Sequence, residues 1–332
     1  MILRRRRKIV SKWQSAAIKN NNNNFCHSEL NSESNIKTNN MILLDGKKTS
    51  NDIKDEIAVA VLAMKERGEK VPHLAAVIVG SDGASLTYVG SKVRACEFVG
   101  FDSTLVELPD TISEEDLLNT INDLNNNDAI DGFIVQLPLP NHIDEQKVLM
   151  AVHPNKDVDG FHPENFGKMA LDMESFISAT PFGILQLLER HNVETKGKHA
   201  VVIGRSHIVG RPMSILLSQK GPAGNCTVTL AHSHTKNLPE ITKQADIIVV
   251  ALGVPEFLTA DMVKEGVVVI DVGISRVPDA SKKRGYAIKG DVAFDEVSKK
   301  SSFITPVPGG VGPMTIAMLL QNTLLARKRS KK

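Results

Sequence analysis

At 332 residues the chain is long enough for two domains, and 42% hydrophobic with 23% charged residues is an ordinary balance for a globular protein. No apolar run reaches eighteen residues without a charge or a break, which argues against a helical membrane span. Three scattered cysteines (Cys26, Cys96, Cys226) form neither a disulfide framework nor a zinc spacing and fit a reducing, cytoplasmic setting.

The net charge of +2 is lopsided. Residues 1–40 hold eight Lys or Arg and two Glu, so the remainder carries −4 and shows no nucleic-acid footprint. That first segment runs through Arg4-Arg5-Arg6-Arg7, an asparagine tract at 20–24 and a Ser/Asn-rich stretch. It has too little apolar surface to offset the entropy of ordering and reads as disordered. Three roles compete for it: a basic arm for nucleic acid, an Arg-rich transit peptide free of acid through Asn24, or an extension without a role. The last is preferred, with Met41 as the working start, because residues 41–44 open the ordered pattern as a short strand.

From there strands and helices alternate, which predicts an α/β layer fold. Residues 49–67 read as an amphipathic helix with Ile53, Ile57, Val61 and Met64 on one face and Gly68 as its stop. Residues 73–79 are a nearly all-apolar strand, as in a parallel sheet covered on both faces. The stretch 88–100 predicts a helix that puts Tyr88, Lys92 and Cys96 on one face, with Val89, Val93 and Phe98 opposite. A phenol beside an amine suits proton transfer, because burial lowers a lysine's pKa from about 10.4 and a neutral amine is a base. Spacing alone favours a surface lysine and a packed tyrosine, because i,i+4 pairs are common.

Residues 104–108 read as a strand, and Ser113 caps the next helix. Residues 132–137 form another apolar strand, closed by Pro138 and Pro140. A helix near 144–152 leads to Lys156-Asp157-Val158-Asp159-Gly160. Thr180-Pro181 reads as N-cap and first residue of a new helix, with the domain boundary just before it. A second alternating run follows: strands at 200–203, 227–231, 246–252 and 267–272, helices at 212–219, 239–244 and 260–264. A hairpin near 285–288, a helix at 295–300 and a last helix from about Thr315 complete the chain.

The turn Gly204-Arg205-Ser206-His207-Ile208-Val209-Gly210 links a strand to a helix, the setting for a dinucleotide pyrophosphate. Ser206 and Val209 stand where G-x-G-x-x-G would have its second and third glycines. The strand at 227–231 ends in His232-Ser233-His234 with no acid for a ribose hydroxyl. Ser233 with Arg205 suits a 2′-phosphate, which favours NADP over NAD. His232 and His234 alone are poor support for a metal, and none is expected.

Six ordered stretches together resemble the bifunctional methylenetetrahydrofolate dehydrogenase/methenyltetrahydrofolate cyclohydrolase family. They are Tyr88-Val-Gly-Ser-Lys92, Asp131 through Gln136 to Pro140, Lys156 through Asp159 to Gly160, Thr180-Pro-Phe-Gly183, Gly204 through Arg205 to Pro212, and Pro306 through Gly309 to Thr315. The resemblance implies two α/β domains, the second of Rossmann type, with the last helix returning to the first. The implied bounds are 41–179 plus 313–327 for the catalytic folate-binding domain and 180–305 for the NADP domain, after the 1–40 extension.

It further implies Lys92 as the acid/base residue with Tyr88 and Gln136 beside it. Tyr88, Gln136, Leu137, Asp159, Pro308, Gly309 and Gly312 would bind tetrahydrofolate derivatives. Gly204, Arg205, Ser206, Ile208, Val209, Ser233, Gly253 and Ile274 would hold the nucleotide. A homodimer is the family expectation. Two alternatives stand beside this one: another two-domain NADP dehydrogenase of the amino-acid or shikimate type, and a nucleic-acid binder using the basic arm.

Overall fold

The computed structural model describes residues 41–80, 83–282 and 285–330, so the 1–40 extension and its competing readings lie outside the described residues. Two parallel sheets organise the chain. The first has three strands in the order β3 (Asp102–Leu108), β2 (His73–Val79), β4 (Gly132–Val135). The central strand β2 is buried on both faces from Leu74 to Val79, which is why its sequence is a continuous apolar run.

The second sheet has six strands, all paired in parallel. Near one edge lies β5 (His199–Ile203), with β6 (Thr227–Ala231) outside it as the edge strand and β7 (Ile247–Val250) on its inner side. Beyond β7 come β8 (Val267–Asp271), β11 (Ser301–Ile304) and β1 (Ile42–Leu43). This doubly wound order is a Rossmann-type layer, with its reversal of strand order between β5 and β7. A hairpin, β9 (Ser275–Pro278) with β10 (Tyr286–Lys289), interrupts it.

The opening strand corrects a simple split at residue 180. Ile42 and Leu43 pair with Phe303 and Ile304, so the first described strand lies in the second sheet, ahead of those that build the first. The local sequence around 41–44 says strand but carries no information about its distant partner.

Helices cross between the sheets. The first, α1 (Gly46–Glu66), starts three residues before the expected Thr49, because the Asp45 carboxylate caps it by accepting from Lys48 N at 2.9 Å. Next, α2 (Gly83–Val99) ends at Gly100, whose φ of +82° suits only a residue without Cβ. Then come α3 (Glu114–Asn126), α4 (Glu145–Ala151) and α5 (Pro163–Ala170). The sequence reading missed α5, although Pro163 at its first turn and the His162 ring capping Glu164 N at 3.1 Å are local start signals.

The link between the sheets is α6 (Ala179–Arg190). It begins one residue ahead of the expected Thr180 cap. Ser178 stands at the cap, but its hydroxyl donates instead to Ile208 O at 2.9 Å. Thr180 is free to meet the Thr315 hydroxyl at 3.0 Å. In the second half, α7 (Gly210–Ser218) starts two residues before the expected Pro212, while α8 (Leu238–Thr242) and α9 (Phe294–Val297) are shorter than their apolar patterns suggested. The expected helix at 260–264 is one 3-10 turn, Ala260–Met262.

The last helix, α10 (Val311–Arg329), starts four residues before Thr315 because Pro313 falls in its first turn, where no donor is missed. It returns to the first half and packs on α6, α1 and α2. Gly183 makes the α6 crossing close: a Cβ there would sit 2.8 Å from Met314 Cβ. Leu319, Leu320 and Leu324 are buried in the same core as Ile184 and Leu187. No helix among the described residues is long and apolar enough to cross a membrane.

Candidate active site

Lys92 is 5% exposed, and its Nζ donates to Gln136 Oε1 at 3.2 Å. Helix α2 supplies the lysine and the end of β4 supplies the glutamine. Gln136 is fixed in turn: its N–H bonds Val77 O at 2.8 Å and its Nε2 donates to Leu137 O at 2.6 Å. The Lys92 amine lies 4.5 Å from the centre of the Tyr88 ring, one turn back on the same helix. Burial pushes the Lys92 pKa down, and the nearby Asp159 carboxylate opposes this. Burial pushes Asp159 up, and Lys92 opposes in turn. Burial also raises the Tyr88 phenol, with Asp159 adding to the rise and a hydrogen bond to Thr315 working against it.

Asp159 and its neighbour Asp157 do different things. Asp157 is buried and accepts from Phe161 N (3.1 Å), His162 N (2.8 Å) and Asn165 Nδ2 (2.9 Å), so it shapes the loop. Asn322 of α10 holds the loop from the other side, donating to Val158 O at 2.8 Å and Ile177 O at 2.9 Å. Asp159 is left to face Lys92 and Tyr88.

The third member of the α2 face, Cys96, is 1% exposed and its thiol is pushed up to about 12 by burial, which makes it inert packing. Phe98 departs from the expected apolar side. It is 55% exposed with Lys54 Nζ 5.8 Å from its ring, because five residues past Val93 is a rotation of about 140° around the helix.

Two cavities adjoin this cluster. One, of about 430 Å³, opens beside Tyr88 between α1, α2 and the start of α10; Gly312, Pro313 and Ile316 line it. Lys54 and Arg94 also line it, and no carboxylate does among the described residues. The other, of about 460 Å³, brings Leu137, Gly160 and Phe161 against His207, Ile208 and Arg211 of the strand–helix turn. Pro308 and Gly309 act differently from Gly312. Their loop packs on the start of α1, with Gly309 O accepting from Lys47 N at 2.8 Å, and a Cβ on Gly46 would collide with Gly310 O.

The second sheet presents a crevice where its strand order reverses, between the ends of β5 and β7. Gly204 has φ +118°, and a Cβ there would strike Ala251 O. A Cβ on Gly210 would strike Gly204 O. So the close helix–strand approach is made by Gly210, one position after the Val209 that the glycine fingerprint singled out. Ser206 Oγ accepts from Val209 N at 3.2 Å and Gly210 N at 3.3 Å, holding the turn without a second glycine. Arg205, Ser206 and Ser233 are exposed at this end of the sheet. Gly253 (φ +71°) and Ile274, 61% exposed, form the opposite wall. The glycine cradle, the hydroxyls and the arginine fit a phosphorylated dinucleotide. His234 N donates to His232 Nδ1 at 3.2 Å, so that ring nitrogen is already engaged.

The residues that motif reading missed are those acting across long sequence separations. They are Thr315 beneath Tyr88, Asn322 on the Asp159 loop, and two buried aspartates, Asp271 and Asp291, behind Gly253. Thr315 and Asp271 are each a polar residue between apolar neighbours, and Asn322 sits between Gln321 and Thr323, so none gives more than a weak local signal.

Comparison with known proteins covers both halves. The family model described as the tetrahydrofolate dehydrogenase/cyclohydrolase catalytic domain matches residues 44–159, and that of the NAD(P)-binding domain matches residues 178–331. A Bifunctional protein FolD from Flavobacterium johnsoniae is 74% identical over 288 residues, covering 87% of this chain and 98% of the relative. The crystal structure of a bifunctional FolD methylenetetrahydrofolate dehydrogenase/cyclohydrolase from Campylobacter jejuni is 49% identical, with a TM-score of 0.82 over 87% of this chain and 99% of the other. A Trypanosoma brucei methylenetetrahydrofolate dehydrogenase-cyclohydrolase, complexed with NADP cofactor and inhibitor, is 38% identical with a TM-score of 0.83 over 88% and 99%.

Proposed function

The chain belongs to the tetrahydrofolate dehydrogenase/cyclohydrolase family, and from that membership we infer how one cleft serves two reactions. The protein oxidises 5,10-methylenetetrahydrofolate to the 5,10-methenyl compound with NADP, then hydrolyses the methenyl bridge to 10-formyltetrahydrofolate. Matches to one family across both halves set aside the amino-acid or shikimate alternative. The observation that carries the site assignment is the buried Lys92 amine bonded to Gln136 with Asp159 nearby.

In the first reaction NADP supplies a hydride acceptor. No proton leaves in that step, so the protein's task is to hold two rings in register. Gly204, Arg205, Ser206, Ile208 and Val209 bind the nucleotide from the turn, Ser233 and Arg205 take its 2′-phosphate, and Gly253 and Ile274 close the far side. The Asp159 carboxylate meets the paired donors of the pterin's amino-pyrimidinone edge. Leu137 borders the space between pterin and nucleotide.

In the second reaction water adds to the cationic methenyl carbon. Neutral Lys92 takes a proton from that water and returns one to the ring nitrogen as its carbon–nitrogen bond breaks; the remaining proton goes to solvent. Gln136 orients the amine by accepting from it. Low dielectric around Lys92 favours the uncharged amine.

The aminobenzoyl-glutamate tail leaves past Tyr88 into the 430 Å³ groove, where Lys54 and Arg94 meet its carboxylates. The enzyme works as a cytoplasmic homodimer in this reading. The edge strand β3, with Leu105 42% exposed, is surface available for the second copy. One assay tests the whole: purified protein must form NADPH from 5,10-methylenetetrahydrofolate and discharge the methenyl compound without nucleotide. Absence of both activities overturns the assignment.

A further inference from the structure

Behind the wall of the crevice two carboxylates are buried together, Asp271 at 3% exposure and Asp291 at 0%. Asp271 ends β8. Its Oδ1 accepts from Gly273 N and from Asp291 N, both at 2.9 Å, and its Oδ2 accepts from Val292 N at 3.0 Å. Asp291 follows β10. Its Oδ2 accepts from Leu252 N at 2.6 Å and Gly253 N at 2.9 Å. Five backbone donors from three loops therefore end on two side chains.

The packing is reciprocal. A Cβ on Gly290 would collide with the Asp271 carboxylate, and a Cβ on Gly273 would collide with that of Asp291. Each aspartate occupies the space that the glycine of the other segment leaves. Asp291 Oδ1 is buried against Gly273 with no hydrogen-bond partner among the described residues, an arrangement that costs free energy. A fold optimised for stability alone has cheaper ways to turn three loops. The turns held in this way carry Gly253 and Val254 after β7 and Ile274 after β8, the last two with exposures of 48% and 61%. Ser275 Oγ reaches Gly253 O at 3.5 Å and joins the two turns at the surface.

We propose that Asp271 and Asp291 are positioning residues for the nucleotide, fixing the Leu252–Gly253 and Gly273–Ile274 backbone as one rigid wall opposite Gly204. The proposal rests on the dinucleotide reading of the crevice. Both residues act through the loops and touch no reacting atom, and they lie in the half that the hydrolytic step does not use. The pair therefore sets coenzyme affinity separately from the chemistry at Lys92.

Three variants test this. Asp291→Ala leaves the Leu252 and Gly253 donors without an acceptor. Asp291→Asn retains one oxygen for both. Gly290→Ala drives a methyl group into Asp271 from the other side while leaving both carboxylates in the sequence. For each, the NADP dissociation constant is measured by calorimetric titration without folate, and nucleotide-free discharge of 5,10-methenyltetrahydrofolate is measured on the same preparation. We expect NADP affinity to fall about tenfold or more in Asp291→Ala, a loss comparable to stranding buried amides, with about a threefold fall in Asp291→Asn and a clear fall in Gly290→Ala. In each case affinity falls by a larger factor than the hydrolysis rate.

NADP affinity within about twofold of the unaltered protein in Gly290→Ala and in either Asp291 variant overturns the proposal. So does a parallel loss of affinity and hydrolysis, which marks general destabilisation. If Asp291→Ala does not fold, the other two variants decide on the same criteria. If the unaltered protein neither binds NADP nor discharges the methenyl compound, the family assignment of function fails first, and the two failures are told apart by that control.

Discussion

The Lys92 amine donates to the Gln136 side-chain oxygen at 3.2 Å, joining a helix to a strand end forty-four positions later. Neither residue is unusual alone. The bond matters because it holds an amine in a place where burial lowers its pKa and a carboxylate, Asp159, stands close enough to counter the effect.

Replacing that amine tests it directly. Lys92→Met keeps the side-chain volume and removes the proton carrier. Hydrolysis of the methenyl compound is expected to fall about a hundredfold or more, with NADP binding retained in a titration. Hydrolysis at the original rate refutes the role of Lys92.

The pH profile carries a sign. Burial depresses the Lys92 pKa, so the neutral base gains population as pH rises through a value below that of a free lysine. The hydrolytic kcat should rise along that limb. Asp159 favours the charged amine, so Asp159→Asn should move the limb to lower pH, read from kcat at saturating substrate. A shift to higher pH contradicts the assigned electrostatics.

In the proposed reading coenzyme choice rests on Arg205, exposed like Ser233 past the ends of the paired strands β5 and β6, with no acid at the end of β6. Arg205→Ala should weaken NADP by about thirtyfold and NAD by only a few-fold, since only NADP offers a 2′-phosphate. Equal losses for both nucleotides place the phosphate elsewhere.

The groove beside Tyr88 makes a prediction about substrates. Its two cations face no lining carboxylate among the described residues, so folates with additional γ-linked glutamates should show a lower KM, by about tenfold from one glutamate to three. Replacing both Lys54 and Arg94 with Gln should shrink that ratio toward one. A KM independent of tail length argues that the tail leaves by another route.

Asn322 gives a stability test. Asn322→Leu leaves Val158 O and Ile177 O without their donor in a buried place, an expected cost of about 2–3 kcal/mol in denaturant unfolding. The folate KM should rise with it, because the same bond steadies the Asp159 loop. A variant as stable as the parent, with unaltered KM, contradicts both expectations.

Much of this was legible in the chain alone. The alternation of apolar runs and amphipathic stretches was enough for an α/β layer fold, since period and capping are local properties. The i, i+4 spacing of Tyr88 and Lys92 gave their shared face, because helix geometry fixes it. What tertiary structure decided were the partners: the strand at 42–43 in the second sheet, Asn322 on a loop 164 residues away, and Gly210 in place of an expected glycine. It also decided the burial that lowers the pKa of an otherwise ordinary lysine. Hydrogen-bond complementarity and exclusion of water arise between segments distant in sequence, and no local pattern encodes them.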